Sequence, residues 1–162
     1  MSFYIKLLTS ADLQSTLLLQ EKHFHELTSN EKSTLQASLD SANYQKLYKE
    51  ENIESMKYFV GKVEQQVVGL VGIYTQEDDK NHSNWLGWFC VDEEYRGLGY
   101  GEKLLQFAIR QAKDKKSLKV YCYNAKEYEA ALAIYKKYGF VEYKREDDCI
   151  YLEKNLFTKR EV

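Results

Sequence analysis

The residues best suited by type and spacing to do chemistry are Arg96-Gly97-Leu98-Gly99-Tyr100-Gly101. They follow an apolar run, Trp85 to Val91, and open at once into an amphipathic stretch containing Glu102, Leu104 and Leu105. Glycines on alternate positions leave backbone N–H groups uncovered at a helix N-terminus, where partial positive charge gathers. Such a turn holds a phosphate or pyrophosphate. Two familiar nucleotide loops do not fit the spacing. A P-loop needs a second glycine five residues after the first, followed by Lys and Ser/Thr, and that position is Glu102. A dinucleotide fingerprint needs glycine at its first, third and sixth positions; Gly97 and Gly99 fit, but Glu102 again does not.

Other reactive side chains are less organised. Cys90, Cys122 and Cys149 are an odd number without CxxC spacing, as expected of reduced thiols. None has a sequence-adjacent histidine or basic cluster, so they read as small buried hydrophobes rather than nucleophiles. His23, His25 and His82 have no metal-ligand spacing, and no metal site is expected. Asp92, Glu93 and Glu94 read as turn or cap carboxylates. Lys113, Lys115 and Lys116 complement the dipole at a helix end.

Elements must position these groups. Phe3 to Leu8 suggests a first strand, and Ser10 is a candidate N-cap for a helix over 11–27. A second helix is expected over 31–50, with cap candidates in Thr28-Ser29-Asn30. Lys57 to Val63 and Gln66 to Tyr74 read as strands joined by a tight turn at Glu64-Gln65, and Gln76 to Ser83 as a loop. Trp85 to Val91, apolar throughout, predicts one continuous central strand covered on both faces. A helix over Gly99 to Lys115 follows, with Leu104, Leu105, Ala108, Ile109 and Ala112 on one stripe. Leu118 to Tyr123 alternates as a strand. Ala131, Ile134, Tyr135 and Tyr138 share a helical face that Gly139 can close. Phe140 to Lys144 and Cys149 to Leu156 form a last pair of strands around Arg145 to Asp148. The order is βααβββαβαββ, an α/β (α+β) class with a mixed sheet.

Composition agrees with this class. At 162 residues, 44% hydrophobic and 30% charged, the chain is expected to form a single domain over 1–162. A net charge of −2 and a pI near 6.0 argue against nucleic-acid binding. No apolar run reaches membrane-spanning length and Met1 to Lys6 lacks signal-peptide shape, so a cytoplasmic protein without membrane partners is expected.

Three stretches together resemble the GNAT N-acetyltransferases along nearly the whole chain. Val91 to Gly101, with its Arg-x-x-Gly-x-Gly-like turn, is similar to that family's acetyl-CoA signature. Ala131-Leu132-Ala133-Ile134-Tyr135-Lys136-Lys137-Tyr138-Gly139-Phe140 is similar to its helix-to-strand signature, and Ile150 to Leu156 to its closing strand. The resemblance implies the acyl-CoA N-acyltransferase fold, a mostly antiparallel twisted sheet flanked by helices. It implies acetyl-CoA as donor substrate, a small-molecule or peptide amine as acceptor, and a monomer or homodimer.

The resemblance also implies roles. Amides of Arg96, Gly97, Leu98, Gly99, Tyr100, Gly101 and Glu102 would hold the CoA pyrophosphate. The strand end at Phe89, Cys90 and Val91 would splay from Leu118–Tyr123 and bind the pantetheine arm through its main chain. Val91 N–H would serve as oxyanion donor, and Tyr135 as the acid that protonates the leaving thiolate. A family asparagine that touches the CoA arm falls at Tyr128 by position; Asn124 is the alternative. Lys113, Lys115 and Lys116 are secondary candidates for the CoA 3′-phosphate. Where histone-type members carry a glutamate base, this chain has Trp85, so the base is unassigned and a water relay is expected. A base or a desolvating site matters because a lysine-like amine of pKa about 10.4 is only roughly 0.04% neutral at pH 7, a cost of about 4.6 kcal/mol. The other reading of Tyr135 is one more core aromatic among 14 tyrosines. A CoA-binding sensor of the same fold, without turnover, is the alternative function. Between Glu21 and Glu54, seven acidic residues against four lysines slightly favour a cationic acceptor.

Overall fold

The computed structural model describes residues 2–24, 27–42, 49 and 52–156. Its strands are β1 (Phe3–Leu7), β2 (Ile53–Val63), β3 (Gln66–Gln76), β4 (Ser83–Leu86), β5 (Cys90–Val91), β6 (Ser117–Tyr123), β7 (Val141–Glu146) and β8 (Cys149–Asn155). The helices are α1 (Leu13–His23), α2 (Ser29–Ala37), α3 (Tyr100–Gln111) and α4 (Glu129–Lys137). The strands form one sheet in the order β1-β2-β3-β4-β6-β8-β7, with β5 paired to β3. Pairing is antiparallel except between β4 and β6.

Strand alternation divides the core into two layers. Phe59, Val71, Leu118, Val120 and Leu152 face α3 and α4, where Leu104, Leu105 and Ala108 are fully buried. Tyr58, Val60, Val67 and Leu70 face the other side and pack with Leu19 of α1 and Leu35 of α2. Local chemistry sets several boundaries. Thr28 and Glu31 form a capping box, Thr28 Oγ1 accepting from Glu31 N (3.1 Å) and Glu31 Oε1 from Thr28 N (2.9 Å). Gly139 ends α4 at φ +93°, its amide donating to the Lys136 carbonyl.

The structure departs from the sequence expectations in several places. Ser10 caps nothing; it begins a 3-10 turn to Asp12, and α1 starts at Leu13. The Asp12 carboxylate accepts from Lys62 (2.9 Å) and Lys6 (3.0 Å) instead of capping α1. α1 stops at His23 rather than 27, and α2 runs only from Ser29 to Ala37; of the helix expected to reach 50, residues 43–48 and 50 lie outside the described residues. α3 ends at Gln111, so Lys113, Lys115 and Lys116 follow it.

The largest departure is in the run Trp85 to Val91. It is not one strand: β4 ends at Leu86 and β5 begins at Cys90. Ile73 pairs with Leu86 and Leu70 with Cys90, so Val71 and Gly72 stand opposite three residues, Gly87, Trp88 and Phe89. The extra residue is a β-bulge. Among the described residues, no helix is long and apolar enough to cross a membrane.

Candidate active site

The bulge opens the sheet. β4 pairs with β6 from Ser83/Ser117 to Trp85/Lys119, and beyond that point β5 pairs with β3 alone. Val120 to Tyr123 remain paired with β8 on their other side. A cleft fills the resulting gap, in two adjoining parts of about 480 and 490 Å³ that share Phe24, Phe89, Tyr128 and Ala131. The bulge residues anchor its walls in opposite directions. Trp88 packs edge-on against Phe24 after α1 (4.8 Å between ring centres), and Phe89 against Tyr135 of α4 (5.9 Å).

The bulge also sets the direction of Val91. Asp92 N donates to Val68 O (2.7 Å), so Asp92 occupies a hydrogen-bonded position opposite β3. By antiparallel alternation, Val91 one residue earlier turns its N–H and C=O away from β3 and toward the gap. Its carbonyl accepts from Arg96 Nε (3.3 Å), which ties the glycine turn back to the strand end. Arg96 also donates to His23 Nδ1 (3.1 Å), so His23 carries its proton on Nε2. Burial, reinforced by the Arg96 charge, lowers the His23 pKa and keeps it neutral. Its Nε2 lies buried without a partner among the described residues, on a ring that lines the first part of the cleft.

The glycine turn forms the floor of this first part. Gly97 and Gly99 adopt φ +78° and +83°, conformations that other residues adopt only under strain. Gly99 is the N-cap of α3 and has no side chain to cap it, so the amides of the first turn have no intrahelical acceptor. Glu102, in that turn, would oppose an anion, but Lys137 Nζ (2.6 Å) and Tyr138 Oη (2.8 Å) hold its carboxylate and lower its pKa. The turn therefore presents free N–H groups with its one carboxylate already paired.

The second part is aromatic. Tyr58, Tyr74, Trp88, Tyr121, Tyr123 and Tyr128 contribute to its walls, and Tyr135 lines it. Tyr135 is only 4% exposed, held between Phe89 and Phe140, and its hydroxyl has no hydrogen-bond partner among the described residues. Burial pushes its pKa far above that of an ordinary phenol, so it stays protonated.

The residues expected from the sequence divide clearly. Phe89, Cys90, Val91, Arg96, Gly97, Gly99, Tyr100, Gly101, Glu102 and Tyr128 all line the first part of the cleft. Leu98 points outward at 57% exposure. Asn124 is exposed beyond β6, its backbone N–H donating to Asp148 O, and does not line the cleft. A 3-10 turn over Lys126–Tyr128 precedes α4 and brings Tyr128 there instead. Lys113, Lys115 and Lys116 follow the far end of α3, which is about 18 Å long, and stand away from the glycine turn. Trp85 donates to Asp79 (3.0 Å) outside the cleft, and Asp92 accepts from Glu94 N and Lys22 as a turn carboxylate. Cys90 lines the cleft, but burial pushes its thiol up to about 12. His23, Phe24, Tyr58 and Tyr74 also line it with no local motif to mark them; Glu31 lines it too, and its only local signal is the capping-box spacing from Thr28.

A mostly antiparallel sheet opened beside an uncapped glycine turn is the acyl-CoA N-acyltransferase fold. The chain belongs to the acetyltransferase (GNAT) family, whose family model matches residues 22–140. This family transfers acetyl groups from acetyl-CoA. Over 74 residues the chain is 32% identical to the spermine/spermidine N(1)-acetyltransferase of Bacillus subtilis; the match covers 44% of this chain and about half (49%) of that relative. Among solved structures, the Escherichia coli ribosomal-protein-S18-alanine N-acetyltransferase superposes with a TM-score of 0.70 at 17% identity, covering 97% of this chain and 96% of the other. The PaiA N-acetyltransferase of Thermoplasma acidophilum, solved with coenzyme A, gives 0.66 at 14% identity over 96% and 99%. At these identities the solved structures speak for the fold.

Proposed function

We propose that this chain transfers an acetyl group from acetyl-CoA to a primary amine of a small molecule or peptide, by direct attack in a ternary complex. The observation that supports this reading is the bulge: Val91 and the uncapped glycine turn line one part of the cleft beside it, and Tyr135 lines the adjoining part. The amides from Arg96 to Glu102 take the CoA pyrophosphate, and the open edges near Phe89 to Val91 take the pantetheine amides.

The chemistry then follows from position. The neutral amine attacks the thioester carbonyl, and Val91 N–H stabilises the oxygen as it gains charge. The C–S bond breaks as the C–N bond forms, and the departing sulfur takes a proton from Tyr135. The amine's extra proton leaves to solvent water, which later reprotonates the tyrosine. Apolar walls favour the neutral amine by desolvation. The Bacillus relative supports an amine acceptor. Cys90, held as a thiol, takes no covalent part.

The test is incubation of the purified protein with acetyl-CoA and a panel of polyamines, amino acids, aminoglycosides and peptides, with CoA thiol release and acetylated product both measured. Transfer to at least one amine is expected. CoA binding by calorimetry without any transfer would identify a CoA-binding module instead.

A further inference from the structure

The second part of the cleft has an uneven chemistry. Nine of its twenty lining residues are aromatic, and Glu31 is the one charged side chain among those described. Glu31 stands in the first turn of α2, where the capping box fixes its rotamer: one carboxylate oxygen accepts from Thr28 N, leaving acceptor capacity on the carboxylate. Its charge reaches across the pocket, adding to the rise in the pKa of Tyr121 and of Tyr128 that burial dominates. No lysine, arginine or histidine lines this part among the described residues.

Such a pocket selects by charge. An acceptor with its own carboxylate, such as an amino acid, would meet aromatic faces and Glu31, and no cation among the described residues. A second ammonium group on the acceptor would gain both the carboxylate and the electron-rich ring faces. The carbon chain between two nitrogens would pack on tyrosine and tryptophan rings. We infer that the acceptor is an extended diamine or polyamine, whose reacting nitrogen lies at the Tyr135 end while Glu31 and the surrounding rings hold a second nitrogen in its protonated form. This inference rests on the proposed acetyl transfer for its reacting end, but the binding of the second charge can be measured without turnover.

The experiment compares 1,8-diaminooctane with octylamine, which share a reacting amine and chain and differ in the second nitrogen. Wild-type protein is expected to favour the diamine. Glu31→Gln should keep the capping box, since glutamine serves equally at that position, while raising the diamine KM about tenfold and changing octylamine less than twofold. Equal use of the two amines by the wild type, or an equal response of both to the substitution, would overturn the inference and leave acetyl transfer standing. A matched loss of kcat for both would instead mark Glu31 as the base. If neither amine is acetylated, calorimetry of 1,8-diaminooctane with the CoA-saturated protein decides: binding that weakens in Glu31→Gln supports the inference while the transfer reading fails, and no binding overturns it.

Discussion

Replacing Tyr135 with phenylalanine removes one oxygen from a side chain that is 4% exposed. The ring contacts to Phe89 (5.9 Å) and Phe140 (5.6 Å) do not involve that oxygen and survive the change. The backbone bond from Phe140 N to Tyr135 O (3.0 Å) survives too. Because the hydroxyl has no hydrogen-bond partner among the described residues, its removal should alter stability by less than about 1 kcal/mol. The effect on chemistry should be much larger. General acids typically contribute about 10²–10⁴-fold. Here the low end applies, since a thiol with an ordinary pKa of about 8.5 is already a fair leaving group, and burial makes Tyr135 a weaker acid than a free phenol.

Tyr135→Phe should therefore lower kcat about 100-fold, roughly 2.7 kcal/mol of transition-state stabilisation, with an unchanged melting temperature and an unchanged Kd for CoA. The raised pKa adds a second expectation: wild-type kcat should climb with pH as more amine becomes neutral, with no fall from Tyr135 ionisation below about pH 10, the ordinary phenol value. Thiol release across pH 6–10, calorimetry with CoA and a thermal melt measure all three. A variant with kcat within threefold of wild type, or one whose CoA affinity falls as far as its turnover, would refute the role given to the hydroxyl.

Cys90→Ala should turn over within a few-fold of wild type, and iodoacetamide should leave wild-type Cys90 unmodified at pH 7, because its thiol is pushed up to about 12 by burial. Gly99→Ala should cost roughly 1–2 kcal/mol, since φ is +83° although nothing crowds the new methyl, and should weaken CoA binding; Gly101→Ala, whose methyl would sit 3.6 Å from Val91, should keep the melting temperature while narrowing the cleft. Asp12→Ala should destabilise the fold by about 3 kcal/mol, because it strands the buried Lys62 ammonium. Burial alone would raise the Asp12 pKa, but hydrogen bonds from Lys62 and Lys6 hold it below the usual range. Its contribution is thus present above about pH 4, near the unfolded value, and is lost as pH falls through the lower folded value, where urea melts of wild type and variant should converge.

What the sequence revealed was local or periodic. The glycine turn is legible because its spacing states its own backbone requirement, and Gly97 and Gly99 do adopt positive φ. The stripe of α3 and the stop at Gly139 are legible for the same reason. Asp12 is harder: with Ser10 as the candidate cap it reads as a residue of the first helical turn, and only the fold brings Lys62, fifty residues away, to its carboxylate. The aromatic part of the cleft was illegible residue by residue. Glu31, Tyr58, Tyr74, Trp88 and Tyr121 come from five separate elements or loops and meet only in the folded sheet. Residues Glu26, Glu50 and Glu51 of the acidic stretch lie outside the described residues.

The bulge was missed because nothing in an unbroken apolar run marks an inserted residue except Gly87, yet it governs the site. Gly87 N donates to Gly72 O (2.7 Å), which sets the hydrogen-bonding phase of the strand before the bulge. Continued without insertion, that phase would place Val91 opposite Val68 in a bonded position, its N–H spent on β3. With one more residue, Asp92 takes the bond to Val68 and Val91 turns outward. The same insertion sends Trp88 to Phe24 and Phe89 to Tyr135, and it ends the pairing of β4 with β6. A continuous strand would bury this edge in ladder hydrogen bonds and leave the Val91 N–H turned away from the cleft. A single extra residue therefore separates a closed sheet from one with a cleft, and it does so without adding a reactive side chain for a sequence to display.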